Sequence, residues 1–171
     1  MSLEEAIPLI ARDYSEMPQS WVDLGCGKGL FTYALASYLP RESNILAVDQ
    51  THQHLHGHDH VDITFERLNF EVEDLPFDNL DGVLMANSLH YVKDQAGFID
   101  RIKRKMKPSA SFVIVEYDTD RANRWVPYPV SFDKLQKLFT ALGSIQKLRE
   151  KRSIYGSGIL YACEVKLFER I

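Results

Sequence analysis

The stretch Val22-Asp23-Leu24-Gly25-Cys26-Gly27-Lys28-Gly29-Leu30 decides how the rest of this chain is read. Trp21 to Leu24 is a short apolar run interrupted by one acid, which suits a buried strand ended by glycines. Leu30, Phe31, Ala34, Leu35, Tyr38 and Leu39 then fall on one helical stripe, stopped by Pro40. A strand that feeds a glycine turn opening a helix lets the backbone approach a ligand closely, because the Cβ atoms are missing. The helix N-terminus favours an anionic group at the same place.

Working outward, short apolar runs alternate with amphipathic stretches. Ile45 to Asp49, Ile63 to Leu68, Gly82 to Ala86 and Phe112 to Glu116 read as further strands. A helix is expected from about Asp94 to Lys107, with Phe98, Ile99, Ile102 and Met106 inward and Pro108 as its stop. Ser131 suits the N-cap of a helix burying Leu135, Leu138, Phe139 and Leu142, with Gly143 just past its end. Ile145 to Ser153 and Ile159 to Phe168 read as two long strands joined by Tyr155-Gly156-Ser157-Gly158, a hairpin-type connection. The opening residues Leu3, Ile7, Ile10 and Tyr14 keep helical spacing, with Pro8 kinking or delaying the helix. Such alternation predicts an α/β domain: a mostly parallel sheet, helices on both faces and an antiparallel edge. No linker divides it, so residues 1–171 read as one domain, with 1–20 a helical segment and 21–171 the core.

The ligand chemistry follows from three details. The glycines are spaced G-x-G-x-G, and Leu30 stands where the dinucleotide pattern G-x-G-x-x-G would want its third glycine. Asp23 precedes the turn, where a carboxylate would repel a pyrophosphate but suits an ammonium group. Asp49 ends the second strand, where it can accept both hydroxyls of a ribose. A ligand with a carboxylate, an ammonium and a ribose fits, and S-adenosylmethionine has all three.

Val22 to Gly29 resembles the first motif of class I S-adenosylmethionine-dependent methyltransferases. Ala47-Val48-Asp49-Gln50 resembles their second-strand acid, and Asp74-Leu75-Pro76-Phe77 the segment leading into strand four. Asp81 to Val92 resembles the fourth-strand motif of the small-molecule enzymes, and Lys107-Pro108 the entry to strand five. The runs Met85 to Val92 and Glu116 to Asp120 are most similar to compact bacterial methyltransferase-like proteins of unassigned substrate. The resemblance implies a doubly wound Rossmann-like, seven-stranded sheet of order 3-2-1-4-5-7-6 with strand seven antiparallel. It also implies site residues. Asp23 with Gly25, Cys26, Gly27 and Gly29 would hold the methionine moiety, Asp49 the ribose, and Gln50 would pack near the adenine. Asn69 with Phe70, or alternatively Glu71, would reach the adenine amino group, and Asn87 would face the methionine end. The family's helix between strands two and three has no counterpart here, because Thr51 to Asp62 is short, histidine-rich and interrupted by Gly57.

Composition narrows the setting. The net charge of −4 provides no global basic field for nucleic acid or an anionic membrane. Two cysteines, Cys26 and Cys163, are too few for a disulfide framework, and the N-terminus lacks a secretory signal, so a cytoplasmic location is expected. The basic run Arg101, Lys103, Arg104, Lys105 and Lys107 reads as a solvated helix face more than a nucleic-acid contact.

Several residues admit two readings. His90, after the fourth strand, is either a general base or a capping histidine. Glu116, Tyr117, Asp118 and Asp120 either line a substrate pocket or make a hydrogen-bonded turn. Trp125 and Tyr128, on a proline-stiffened loop, either cover an acceptor or pack on the core or at a homodimer contact. His52, His54, His56, His58 and His60 would make a chelating comb if extended, but a solvated loop with no metal is preferred. Cys26 lacks the neighbours of a nucleophile. The expected function is transfer of the methyl group of S-adenosylmethionine to a small-molecule acceptor by direct displacement. The alternative is a binding module that acts through a partner subunit.

Overall fold

The computed structural model describes residues 1–152 and 158–169. Its strands are β1 (Ser20–Leu24), β2 (Ser43–Asp49), β3 (Val61–Arg67), β4 (Leu80–Ala86), β5 (Met106–Tyr117), β6 (Gly143–Arg152) and β7 (Ile159–Leu167). They form one sheet in the order β3-β2-β1-β4-β5-β7-β6. The first five run parallel, whereas β7 is antiparallel to both β5 and β6. The order and the antiparallel strand are those the resemblance implies. Of the expected turn Tyr155-Gly156-Ser157-Gly158, the first three residues lie outside the described residues.

Alternation along the central strands separates two cores. Val83, Met85, Phe112 and Ile114 face α3 (Gln95–Lys103) and α4 (Phe132–Phe139), where Phe98, Ile99, Ile102, Leu135 and Phe139 meet them. Leu84, Val113 and Val115 face the opposite way, toward Ala6, Leu9 and Ile10 and toward Phe31, Ala34 and Leu35 of α2 (Leu30–Ala36). Being covered on both faces is why β4 and β5 read as continuous apolar runs.

The boundaries differ from the sequence reading in three places. The N-terminal helix α1 is only Leu3–Ala6, closed by a capping box between Ser2 and Glu5, and Pro8 sits in a 3₁₀ turn over Ile7–Ile10. Tyr14 lies beyond both and stacks on Tyr38. Met106, expected inside a helix, instead opens β5 opposite Leu80. It stands four residues after Ile102, a spacing that a longer helix and a new strand satisfy equally well. Gly143 opens β6, where a Cβ would lie 2.4 Å from the Lys166 carbonyl oxygen.

Neither the β2–β3 connection, residues 50–60, nor the β3–β4 connection, residues 68–79, contains a helix. The first is tied down by Tyr33, whose hydroxyl donates to the His56 carbonyl at 3.1 Å, and by Leu55, packed against Gly29. The outer strand β3 is consequently half-covered, with Asp62, Thr64 and Arg67 exposed. No helix among the described residues is long and apolar enough to cross a membrane.

Candidate active site

The carboxyl ends of β1, β2 and β4 converge on a cleft of about 310 Å³, lined by Gly25, Asp49, Gln50, Asn69, Phe70, Glu71, Asn87, Ser88, Tyr91 and Val92. The glycine turn is hung from β2: the N–H groups of Gly25 and Cys26 both donate to the Val48 carbonyl, at 2.8 and 3.0 Å. Gly25 has φ +80°, and a Cβ there would lie 2.5 Å from the Ser88 Cβ. Glycine is therefore required twice, by conformation and by contact with the β4 edge. Asp49 accepts from the Gly27 N–H at 2.9 Å through Oδ2 and from the Thr51 N–H at 2.8 Å through Oδ1. Each oxygen retains a further lone pair.

Asn87 follows β4 in the left-handed region, at φ +55°, held by its N–H to the Val115 carbonyl at 2.8 Å. Asparagine tolerates this conformation better than most residues. Its Oδ1 is buried and has no partner among the described residues.

Asp23 does not line the cleft. It is buried beneath the turn, where Oδ2 accepts from the Thr32 hydroxyl at 2.6 Å and Oδ1 has no partner among the described residues. Burial, helped by the nearby charge of Asp49, pushes its carboxyl up to about 7 against the bond from Thr32. Cys26, Gly27 and Gly29 shape the turn without lining the cleft either. Burial first, then Asp23 and Asp49, hold the Cys26 thiol far above its ordinary range, which removes a nucleophilic role.

A second, larger cavity of about 690 Å³ opens beyond β5, lined by Tyr117, Asp118, Thr119, Asn123, Trp125, Val126, Gly158 and Ile159. Trp125 is 72% exposed at its rim, so it does not pack into the core. Tyr128, expected beside it, does not line the cavity; its N–H donates to the His90 carbonyl at 2.9 Å. Glu116, also expected there, is wholly buried behind His90. Its Oε2 lies 2.6 Å from His90 Nδ1, and its Oε1 accepts the His90 N–H at 3.1 Å. A glutamate on the inward-facing register of β5 needs such a partner, because an unpaired buried carboxylate is costly. His90 itself is 2% exposed. This pair braces the segment after β4 against β5.

Sequence reasoning missed Ser88, Tyr91 and Val92 in the cleft. Ser88 Oγ donates to the Leu24 carbonyl at 2.6 Å, a contact between chain-distant strand ends that no local pattern signals. The basic run is also not a solvated face throughout: Lys105 pairs with Asp78 at 3.2 Å, Lys107 with Asp81 at 2.8 Å, and Arg101 bonds to loop carbonyls. In the histidine tract His52 meets His54 edge-on, as His58 meets His60. Among the described residues no group of three His, Cys, Asp or Glu is placed to hold a metal ion.

A family model described as a methyltransferase domain matches residues 22–114, more than half of the chain. The chain belongs to this family. A curated relative of the methyltransferase domain, carboxy-S-adenosyl-L-methionine synthase of Hydrogenovibrio crunogenus, is 26% identical over 112 residues, covering 60% of the chain and 44% of the relative. The chain thus spans less than half the length of that relative. Among solved structures, the YcgJ protein of Bacillus subtilis is similar with a TM-score of 0.68 at 13% identity, over 98% of each chain. The 1,6-didemethyltoxoflavin-N1-methyltransferase of Burkholderia thailandensis, solved with its substrate and S-adenosylhomocysteine, gives 0.65 at 17% identity, over 89% of this chain and 72% of that one. At such identities these structures share the fold of the methyltransferase domain.

Proposed function

We propose that this domain transfers the methyl group of S-adenosylmethionine to a small-molecule acceptor. The observation that carries the reading is the cleft where Gly25, Asp49, Asn69, Phe70 and Asn87 converge. Its chemistry fits the cofactor: the cleft and the turn beneath it hold acceptor oxygens in excess. Asp23 Oδ1 and Asn87 Oδ1 lack donors among the described residues, and Asp49 has lone pairs to spare. Two ribose hydroxyls suit the spare lone pairs of Asp49 and an ammonium group suits Asn87 Oδ1, whereas Asp23, which does not line the cleft, offers the ligand no direct acceptor. Asp49 would take the ribose, Gln50 and Phe70 the adenine faces, Asn69 or Glu71 the adenine amino group, and Asn87 the methionine end. Asp23, lying beneath the turn, would act on the ammonium through the field of its carboxylate.

The relative's name raises a carboxylated cofactor as a second possibility. A carboxylate on the reactive group would call for a cation, but the cleft is lined by Asp49 and Glu71 and by no lysine, arginine or histidine among the described residues. The cleft chemistry favours a methyl group.

When bound, the cofactor supplies an already activated sulfonium methyl. The chain's task is then alignment, which alone can contribute on the order of 7–11 kcal/mol. The cavity bordered by Tyr117, Asp118 and Trp125 is our choice for the acceptor, with aromatic rings for a planar body and one carboxylate for a donor group. His90 lines neither opening, but it is flanked in the chain by Ser88 and Tyr91 of the cleft and is paired with Glu116, next to Tyr117 of the cavity. Its Nδ1 is committed to Glu116, so Nε2 is the atom left to take a proton from an acceptor that carries one. The two unpaired, buried cysteines suit a reducing, cytoplasmic setting.

Calorimetric titration tests the reading. S-adenosylhomocysteine is expected to bind at micromolar level and NADH not measurably. NADH binding tighter than S-adenosylhomocysteine would end the methyltransferase reading, and turnover against a panel of small acceptors would then separate an enzyme from a mere binder.

A further inference from the structure

Three walls of the cleft are strand ends and are fixed by the sheet: Gly25 after β1, Asp49 at the end of β2 and Asn87 after β4. The fourth wall, Asn69-Phe70-Glu71, belongs to the helix-free connection between β3 and β4. Such a loop must be held by something outside itself if it is to present a defined surface.

What holds it is α3. The Phe70 ring packs on Phe98 of α3, with centroids 5.7 Å apart and planes at 55°. One turn further along, Arg101 Nη2 donates to the Phe70 carbonyl at 2.5 Å and to the Glu71 carbonyl at 2.7 Å. Its guanidinium lies 5.6 Å from the Phe98 ring centroid, so Phe98 is shared between the ring and the cation. The Lys93 N–H, just before α3, donates to the Glu71 carboxylate at 3.1 Å. Within the loop, Asn69 and Glu73 close a local turn: the Glu73 N–H donates to the Asn69 carbonyl at 2.9 Å, and the Glu73 carboxylate accepts the Asn69 N–H at 2.8 Å. That turn fixes the loop's shape but not its place. Arg101 and Phe98 fix its place.

We propose that Arg101 is a positioning residue for the cofactor cleft: by gripping the Phe70 and Glu71 carbonyls it sets the wall that selects the nucleobase. This rests on the cofactor reading above. A guanidinium suits the task because one planar nitrogen can serve two carbonyls while the plane packs on a ring, whereas an ammonium offers a point charge on a mobile stem. Arg101 touches the wall from behind and not the ligand, so its effect should fall on selectivity as much as on affinity.

The test compares wild type with Arg101→Ala, Arg101→Lys and Lys105→Ala. Each is titrated with S-adenosylhomocysteine and with S-inosylhomocysteine, which differs only at the base, and the ligand-free melting temperature is recorded. Arg101→Ala is expected to weaken S-adenosylhomocysteine roughly tenfold, the scale of a lost charged hydrogen bond, and to shrink the preference for adenine over hypoxanthine. Arg101→Lys should restore part of both. Lys105→Ala, which breaks an exposed ion pair at the far end of the same loop, should change neither. A folded Arg101→Ala with unchanged affinity and unchanged base preference overturns the proposal. So does a uniform loss for both ligands, which would make Arg101 merely structural. Should Arg101→Ala fail to fold, the base preference of Arg101→Lys decides in the same way. A wild type that binds neither ligand would instead overturn the cofactor reading itself.

Discussion

Replacing Asp23 with asparagine tests the electrostatics beneath the glycine turn. Its carboxyl is fully enclosed; burial is the largest influence on it, the charge of Asp49 adds to it, and the hydrogen bond from Thr32 opposes it. The outcome is a group raised from 3.8 to about 7 in the folded protein. Between those values the unfolded chain has released its proton while the native chain keeps it. Stability therefore falls as pH rises through this window and is level on either side, with about 4 kcal/mol lost in total. The substituted amide has nearly the same size and can still accept from the Thr32 hydroxyl, but it does not titrate. Thermal unfolding of both proteins without ligand, from pH 4.5 to 7.5, reads the difference directly, because groups common to both cancel. The melting temperature of Asp23→Asn relative to wild type should climb across this range by on the order of 10 °C, taking about 2–4 °C per kcal/mol for a domain of this size. Two melting curves that run parallel with pH would refute the reasoning, since they would mean that Asp23 is already ionised in the native state at low pH.

If the ligand's ammonium lies in the field of Asp23, binding S-adenosylhomocysteine at pH 6 should expel the Asp23 proton. Calorimetry in buffers of different ionisation enthalpy would then report proton release in wild type and none in Asp23→Asn. Asp49→Ala should weaken S-adenosylhomocysteine by one to two decades, about 1.5–3 kcal/mol, through loss of a charged acceptor; unchanged affinity in the folded variant would place the ribose elsewhere. Changing the five histidines between 52 and 60 to serine should leave that affinity within about threefold, because none of them lines the cleft and the loop keeps its anchors through Leu55 and the His56 backbone when the His52 contact with Phe65 is lost. Trp125→Ala should impair acceptor turnover while sparing cofactor affinity, and a large loss of cofactor affinity instead would put the ring on the wrong side of the site.

The strand order and the glycine turn are legible in the sequence because they rest on local signals: an apolar run, a spacing, a helical stripe. Asp49, Gln50 and Asn87 are legible for a related reason, since a strand end in a parallel sheet fixes where the next side chain falls; Asn69 and Phe70 are legible only through the family resemblance, because α3 and not the sheet sets their place. The failures share a cause. Glu116 and Asp118 are two residues apart at the end of one strand, but whether an acid there meets water or a histidine depends on a chain-distant partner. For Glu116 that partner is His90, 26 residues away. Arg101 reads as part of a solvated basic run because its acceptors are carbonyls, which every residue has and no sequence pattern displays. Met106 reads as helical because helix and strand share a four-residue coincidence at that point.

The missing helices on either side of β3 have a consequence for how the molecule breathes. The middle residues of β1, β4, β5 and β7 are buried on both faces, while β3 has packing partners along one strand and loops elsewhere. Amide protons of β3 should therefore exchange with solvent through shallow local openings long before those of β4 and β5, which wait for global unfolding. The cleft straddles that seam, with Asn87 on the slow-exchanging side and Asn69 to Glu71 hanging from the fast-exchanging one. A ligand seated there would join the two halves, so the slowing of exchange on saturation should be greatest along Val61–Arg67 and the loop behind it.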